Sequence, residues 1–235
     1  MTSTTTFSVG EMSVLLRGES GPISEWTRRW DSRRVGLNIA VIVLGAGLYG
    51  AAMGWWRDPM QALFVAIKFP LVILITAIGN ALLNAMLAPL LGLNITVRES
   101  FLSVLMSFTI AAAILGAFSP LLAFMVWNAP PMSPDVKSTD AYGLIKLTQV
   151  VAIAFAGIAA NIRLFQLLVK LGSNTRVARR VLFAWLAGNL FLGSQLTWIA
   201  RPFIGAPQLP VVFFREGAFK SNFFEDVFRT ITGLF

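Results

Sequence analysis

From Val35 to Gly205 the chain is filled by apolar runs long enough to cross a bilayer, and that feature dictates the class of fold. A spanning helix needs roughly 20 mainly apolar residues rising about 1.5 Å each, and in hydrocarbon it must satisfy its own backbone N–H and C=O groups. Five stretches meet that length, at about residues 35–55, 70–91, 101–127, 141–168 and 181–200. The expectation is an all-α polytopic transmembrane bundle over 35–205. A cytoplasmic segment at 1–34 precedes it and a Phe-rich interfacial tail at 206–235 follows.

The second run needs a closer reading. Counted from Met60 to Leu91 it is too long for one straight crossing, and Pro70 inside it lacks a backbone donor. Asp58 and Pro59 read as an N-cap and a first-turn proline. They predict a short interfacial helix ahead of a span that starts near Pro70, with a re-entrant hairpin as the competing arrangement.

Lys and Arg in short loops set orientation. Arg17, Arg28, Arg29, Arg33 and Arg34 precede the first span, Arg98 joins spans two and three, and Lys170, Arg176, Arg179 and Arg180 join four and five. The alternate loops hold Arg57 and Lys137 beside Asp58, Asp135 and Asp140. Five spans then put the N-terminus in the cytoplasm and the C-terminus outside a plasma (inner) membrane. The cations of the tail (Arg201, Arg215, Lys220, Arg229) run against this bias, largely offset by Glu216, Glu225 and Asp226.

Composition narrows the chemistry. Charged residues make up 13% of the chain, against about 25% in an ordinary soluble domain. The net charge of +8 flanks the spans, where it sets topology and meets anionic headgroups, so nucleic acid is not an expected partner. There is no cysteine and no histidine, which removes thiol chemistry, Ser–His dyads and the usual zinc sites. No acidic residue lies deep in a span, which disfavours an intramembrane aspartyl protease and proton- or sodium-coupled transport. Ser119 and Ser194 exist beside Lys68 and Lys146, but their spacing does not recommend a Ser–Lys pair. The reading is of a chain that is not an enzyme and has no cofactor or metal.

Both ends carry aromatic elements. Residues 1–22 are rich in Ser, Thr and Gly and show no cleavable signal, so the first span reads as an uncleaved anchor. Trp26 and Trp30, at i and i+4 on a juxtamembrane helix, would share one face at the headgroup level or dock a partner. In the tail, Asn222 and Glu225 form a capping pair for a helix over 222–235, with Phe223, Val227, Ile231 and Leu234 on one face and Phe224, Phe228 and Phe235 beside it. Such a helix would lie in the interface or cap the bundle.

Membrane helices associate through small residues and interhelical hydrogen bonds. Small-residue stripes run through Ala46, Gly50 and Gly54, through Ala152, Ala156 and Ala160, and through Ala184 and Gly188. Intramembrane amides stand at Asn80, Asn84, Gln149, Asn161, Asn189 and Gln195, as glue between helices or as the lining of a polar path. Lys146, about 8 Å from its helix start, and Arg163 near the other end can snorkel to an interface. Lys68 is expected to face the interface beside the short helix.

Trp198-Ile199-Ala200-Arg201-Pro202-Phe203-Ile204-Gly205-Ala206-Pro207, then Leu209-Pro210 and the Phe-rich tail, is similar to a stretch in uncharacterised bacterial five-span membrane proteins. The five spans with a polar cytoplasmic N-terminus and a short outer C-terminus resemble the Yip1-type membrane proteins. The resemblance implies a non-enzymatic membrane organiser and assigns no functional residue. The expected function is therefore a non-catalytic scaffold or accessory subunit, packed in the lipid bilayer with a membrane-protein partner or with itself. A small oligomeric channel or facilitator for a polar or anionic solute is the alternative.

Overall fold

The computed structural model describes Val14 and residues 31–131, 139–172, 174–205 and 209–233. The expectations for residues 1–30, including Trp26 and Trp30, and for Pro207, Leu234 and Phe235 lie outside the described residues. The architecture is all-α, with no strand among the described residues: α1 (Ser32–Trp55), α2 (Pro59–Leu90), α3 (Val97–Asn128), α4 (Thr139–Gly172), α5 (Thr175–Ala200) and the short α6 (Phe223–Thr232). The first five are long and apolar enough to cross a membrane.

Local chemistry sets the helix ends. Asp31 accepts from the Arg33 N–H at 3.0 Å to open α1, and Asp58 accepts from Met60 N–H at 2.7 Å ahead of Pro59 in α2. A reciprocal Thr96–Glu99 capping box opens α3, and Asn174 caps α5. Gly92 closes α2 with φ near 91°, which lets Leu93 N–H reach back to the Ala88 carbonyl at 2.8 Å.

One boundary differs from expectation. α2 is a single uninterrupted helix from Pro59, not an interfacial helix followed by a span from Pro70, and it does not re-enter. Pro70 costs one backbone hydrogen bond, but packing holds the turns on both sides of it. Val65, Lys68 and Pro70 are buried, Phe69 packs into the core, and Thr76 and Ala77 are buried beyond.

α1, α2 and α3 pack mutually, α4 joins α3, and α5 closes the bundle against α2 and α4. Backbones meet closely along α1. A Cβ at Gly50 would stand 2.7 Å from the Val65 carbonyl, and one at Gly54 2.6 Å from the Gln61 carbonyl. Gly45 has its own close approach, to the Ala112 carbonyl of α3, and a Cβ at Gly116 would lie 2.8 Å from Gly45 Cα. Ala46, Ala152, Ala156 and Ala160 are buried, Ala184 is half-buried, and Gly188 faces Asn80.

Two apolar clusters result. Tyr49, Met53, Trp56, Leu122 and Ala152 fill the end that carries the tail, and Leu93, Leu168, Val181 and Trp185 fill the opposite end. Leucines such as Leu44, Leu48 and Leu190 point outward, as a lipid solvent allows.

Candidate functional site

The tail folds back over the end of the bundle where α2 begins and α5 ends. Gln61 Nε2 donates to the carbonyls of Pro202 and Phe203, both at 2.9 Å. About two turns further along α2, Lys68 Nζ donates to the Pro202 carbonyl at 3.2 Å and to the Val212 carbonyl at 3.5 Å. Its ammonium also sits 4.9 Å from the Phe213 ring centre, with Phe64 and Phe214 about it. Lys68 is 2% exposed. It does not face the interface as expected. The tail supplies carbonyls and ring faces that replace water around the charge, so it need not reach a headgroup.

Further ties fix the same end. Arg57 donates to the Leu209 carbonyl at 3.1 Å, and Trp56 donates to the Pro130 carbonyl at 3.0 Å. Gln195 accepts from Phe223 N–H at 2.9 Å, which joins the start of α6 to α5. α6 is capped by Asn222, which accepts from Glu225 N–H at 2.7 Å. It buries none of its residues and rests on α5 through Phe224 stacked on Phe191 and Phe223 edge-on to Trp198. Phe228 is exposed.

Between α4, α5 and this tail lies a cavity of about 1010 Å³. Most of its wall is apolar, as at Ile153 and Phe203; its charged groups are Lys146 from α4, Arg201, Arg215 and Glu216. Arg201 and Arg215 share one indole: their guanidinium carbons lie 3.1 and 4.9 Å from the centre of the Trp198 ring. Burial, and then the nearby charge of Arg215, push the Arg201 guanidinium below its usual pKa, with Asp226 opposing. Arg201 Nη2, Arg215 Nε and Gln149 Nε2 are buried with no hydrogen-bond partner among the described residues. The backbone carbonyl of Gln149 accepts from Tyr49 Oη of α1 at 3.4 Å.

The other amides gather elsewhere. Asn80 and Asn84 of α2 are fully buried, and all four of their side-chain polar atoms lack a partner among the described residues. Both amide oxygens lie within 4.0 Å of the point where a Gly188 Cβ would stand. Asn189, next along α5, lines a small cavity of about 60 Å³ with Asn161 of α4. Asn161 itself donates to the Gly157 carbonyl at 2.8 Å. The six amides therefore do not share one path: Gln149 belongs to the large cavity, Gln195 to the tail, and the four asparagines to the seam that α5 makes with α2 and α4.

Ser119 and Ser194 each bond a carbonyl of their own helix, Gly116 and Phe191. Arg163 pairs with Gln166 at 3.2 Å. Among the described residues no three His, Cys, Asp or Glu side chains gather to hold a metal. Sequence reasoning singled out Gln149, Lys146 and Arg201 but missed Trp198 as the platform that Arg201 shares with Arg215, and Arg215 as a cation of the cavity. A tryptophan three residues before an arginine was the available signal. Comparisons with protein-family models, with curated proteins and with solved structures gave no match.

Proposed function

We propose that this protein is a non-catalytic integral membrane scaffold or accessory subunit that engages a membrane-protein partner, or a second copy of itself, through the outer face of α5. The supporting observation is a mismatch in α5. It is the least apolar of the five long helices, yet only 11% of its most apolar stretch is buried, against 50% in α3. A helix poorly suited to lipid and poorly covered by its own chain gains most from a protein neighbour. Leu190, 72% exposed, lies at the centre of that face, with Phe183 and Phe191 beside it.

The chain contains no cysteine, so Leu190→Cys gives a clean cross-linking site. In native membranes we expect an adduct of one defined mass in near-stoichiometric yield, while Leu44→Cys on α1 gives none. Strictly monomeric recovery from both variants removes the reading.

In the inner-membrane location proposed for the chain, the positive-inside count favours a cytoplasmic N-terminus and an outer location for the tail. Intramolecular bonds already engage the tail-side cations Arg57 and Lys68. The tail helix is too short to cross, since its 10 residues at about 1.5 Å each fall well below the roughly 30 Å of hydrocarbon. Thr230→Cys should therefore react with an impermeant maleimide in intact cells. Reaction only after membrane disruption, with a denatured control labelled, would reverse the orientation.

The asparagine seam favours the facilitator as a second reading, because unpartnered amides deep in a bundle suit a polar solute. Liposomes reconstituted with the protein and showing no flux of ions or small polar solutes would dismiss it.

A further inference from the structure

The cavity under the tail is lined chiefly by apolar groups, yet the polar groups in its wall are mostly donors. Lys146, Arg201 and Arg215 bring three positive charges against the single carboxylate of Glu216. The Gln149 side chain, 5% exposed, adds an amide nitrogen without a partner among the described residues. We propose that this cavity binds a phospholipid whose anionic phosphate headgroup is held by Lys146, Arg201 and Arg215 and whose acyl chains run along α4.

Charge complementarity selects the headgroup. Two guanidinium groups over one indole repel each other, and an anion between them converts that repulsion into attraction on both sides. Guanidinium forks match phosphate oxygens two at a time, which the apolar part of the wall cannot do. Size and lining select a lipid over a free anion. About 1010 Å³ far exceeds one phosphate and sits at the upper end of sites for small organic ligands. Val150 and Ile153 both line the cavity and stand exposed on α4, at 56% and 42%, so its wall is continuous with the surface that meets the bilayer. This site stands whichever partner covers α5.

The test uses the purified full chain in a neutral detergent. Native mass spectrometry and thermal melting are followed with phosphatidylglycerol, with phosphatidylcholine of the same acyl chains, and with inorganic phosphate. One phosphatidylglycerol per chain should be retained and should raise Tm, while phosphatidylcholine and inorganic phosphate do neither. Lys146→Gln, on the exposed side of α4, should weaken phosphatidylglycerol binding about tenfold, the usual size of one lost charge-assisted contact. Adding Arg215→Gln should weaken it further, and Lys220→Gln, a tail cation outside the cavity, should leave it unchanged. Equal retention of phosphatidylcholine would show apolar filling alone, and an equal effect of phosphate would show a small-anion site. Either result overturns the proposal. So does failure to retain phosphatidylglycerol, or an equal loss in Lys220→Gln. Melting of each variant without lipid separates a lost contact from a lost fold.

Discussion

Replacing Gly50 with leucine is expected to lower the melting temperature of the detergent-solubilised protein by several degrees and to loosen α1 from α2. The first added carbon would stand 2.7 Å from the Val65 carbonyl oxygen and 3.1 Å from its carbon, so backbone, not a flexible side chain, must move. Overpacking a close-packed site costs about 1–3 kcal/mol. For a chain of this size each kcal/mol shifts Tm by roughly 2–4 °C. Ala156→Leu should act in the same direction, because Ala156 is buried in the core cluster of the tail-side end. Two comparisons isolate the cause. Gly143→Leu, at an exposed position where an added Cβ would meet nothing within 4 Å, and Leu48→Ala on the outward face of α1 should each stay within about 0.5 kcal/mol of the parent. If Gly50→Leu melts with these two, α1 and α2 do not depend on close backbone approach.

Disarming the tail contact should have a comparable effect on a different observable. In the double variant Gln61→Leu, Lys68→Met the side-chain volumes stay close to the originals, but the carbonyls of Pro202, Phe203 and Val212 lose their donors. Each buried acceptor left without a partner costs about 1–3 kcal/mol, and a charged donor makes the stronger bond. The tail should then open more often, and trypsin should cut the folded protein at Arg215 or Lys220 at least about tenfold faster, since 1.4 kcal/mol is a factor of ten. The five-helix bundle should keep its helical signal. Unchanged cleavage would mean that Lys68 and Gln61 are satisfied by the tail without holding it.

The two predictions differ in how visible their residues are in the sequence. Gly50 and Gly54 announce themselves by spacing, because two glycines four apart share a helix face. Gly45 and Gly116 do not. Each makes its close approach against the other helix, and neither leaves a periodic mark: Gly45 is off the step of four that joins Gly50 to Gly54, and Gly116 has no second glycine on α3. Helix number was legible because bilayer thickness fixes a length that apolar runs either meet or miss. The continuity of α2 through Pro70 was not, since the packing that tolerates the proline comes from residues distant in sequence. Lys68 stood out as a cation in an apolar run, but its acceptors are backbone carbonyls more than a hundred residues away, and a carbonyl has no residue type to recognise. The cavity was half legible. Its donors are unusual residues for a span, whereas its shape follows from how little α4 and α5 touch where the tail lies over them.

The separation between Lys68 and its acceptors also fixes an order of events during synthesis. Pro202 and Val212 lie 134 and 144 residues downstream of Lys68. A ribosome adding about 5–20 residues per second reaches them roughly 7–30 seconds after Lys68 is made. Throughout that interval the ammonium has neither carbonyl to bind. Closure of the tail is then the step that supplies both of these acceptors. A chain that ends before Val212 lacks one of the two backbone carbonyls that receive the Lys68 ammonium in the complete protein.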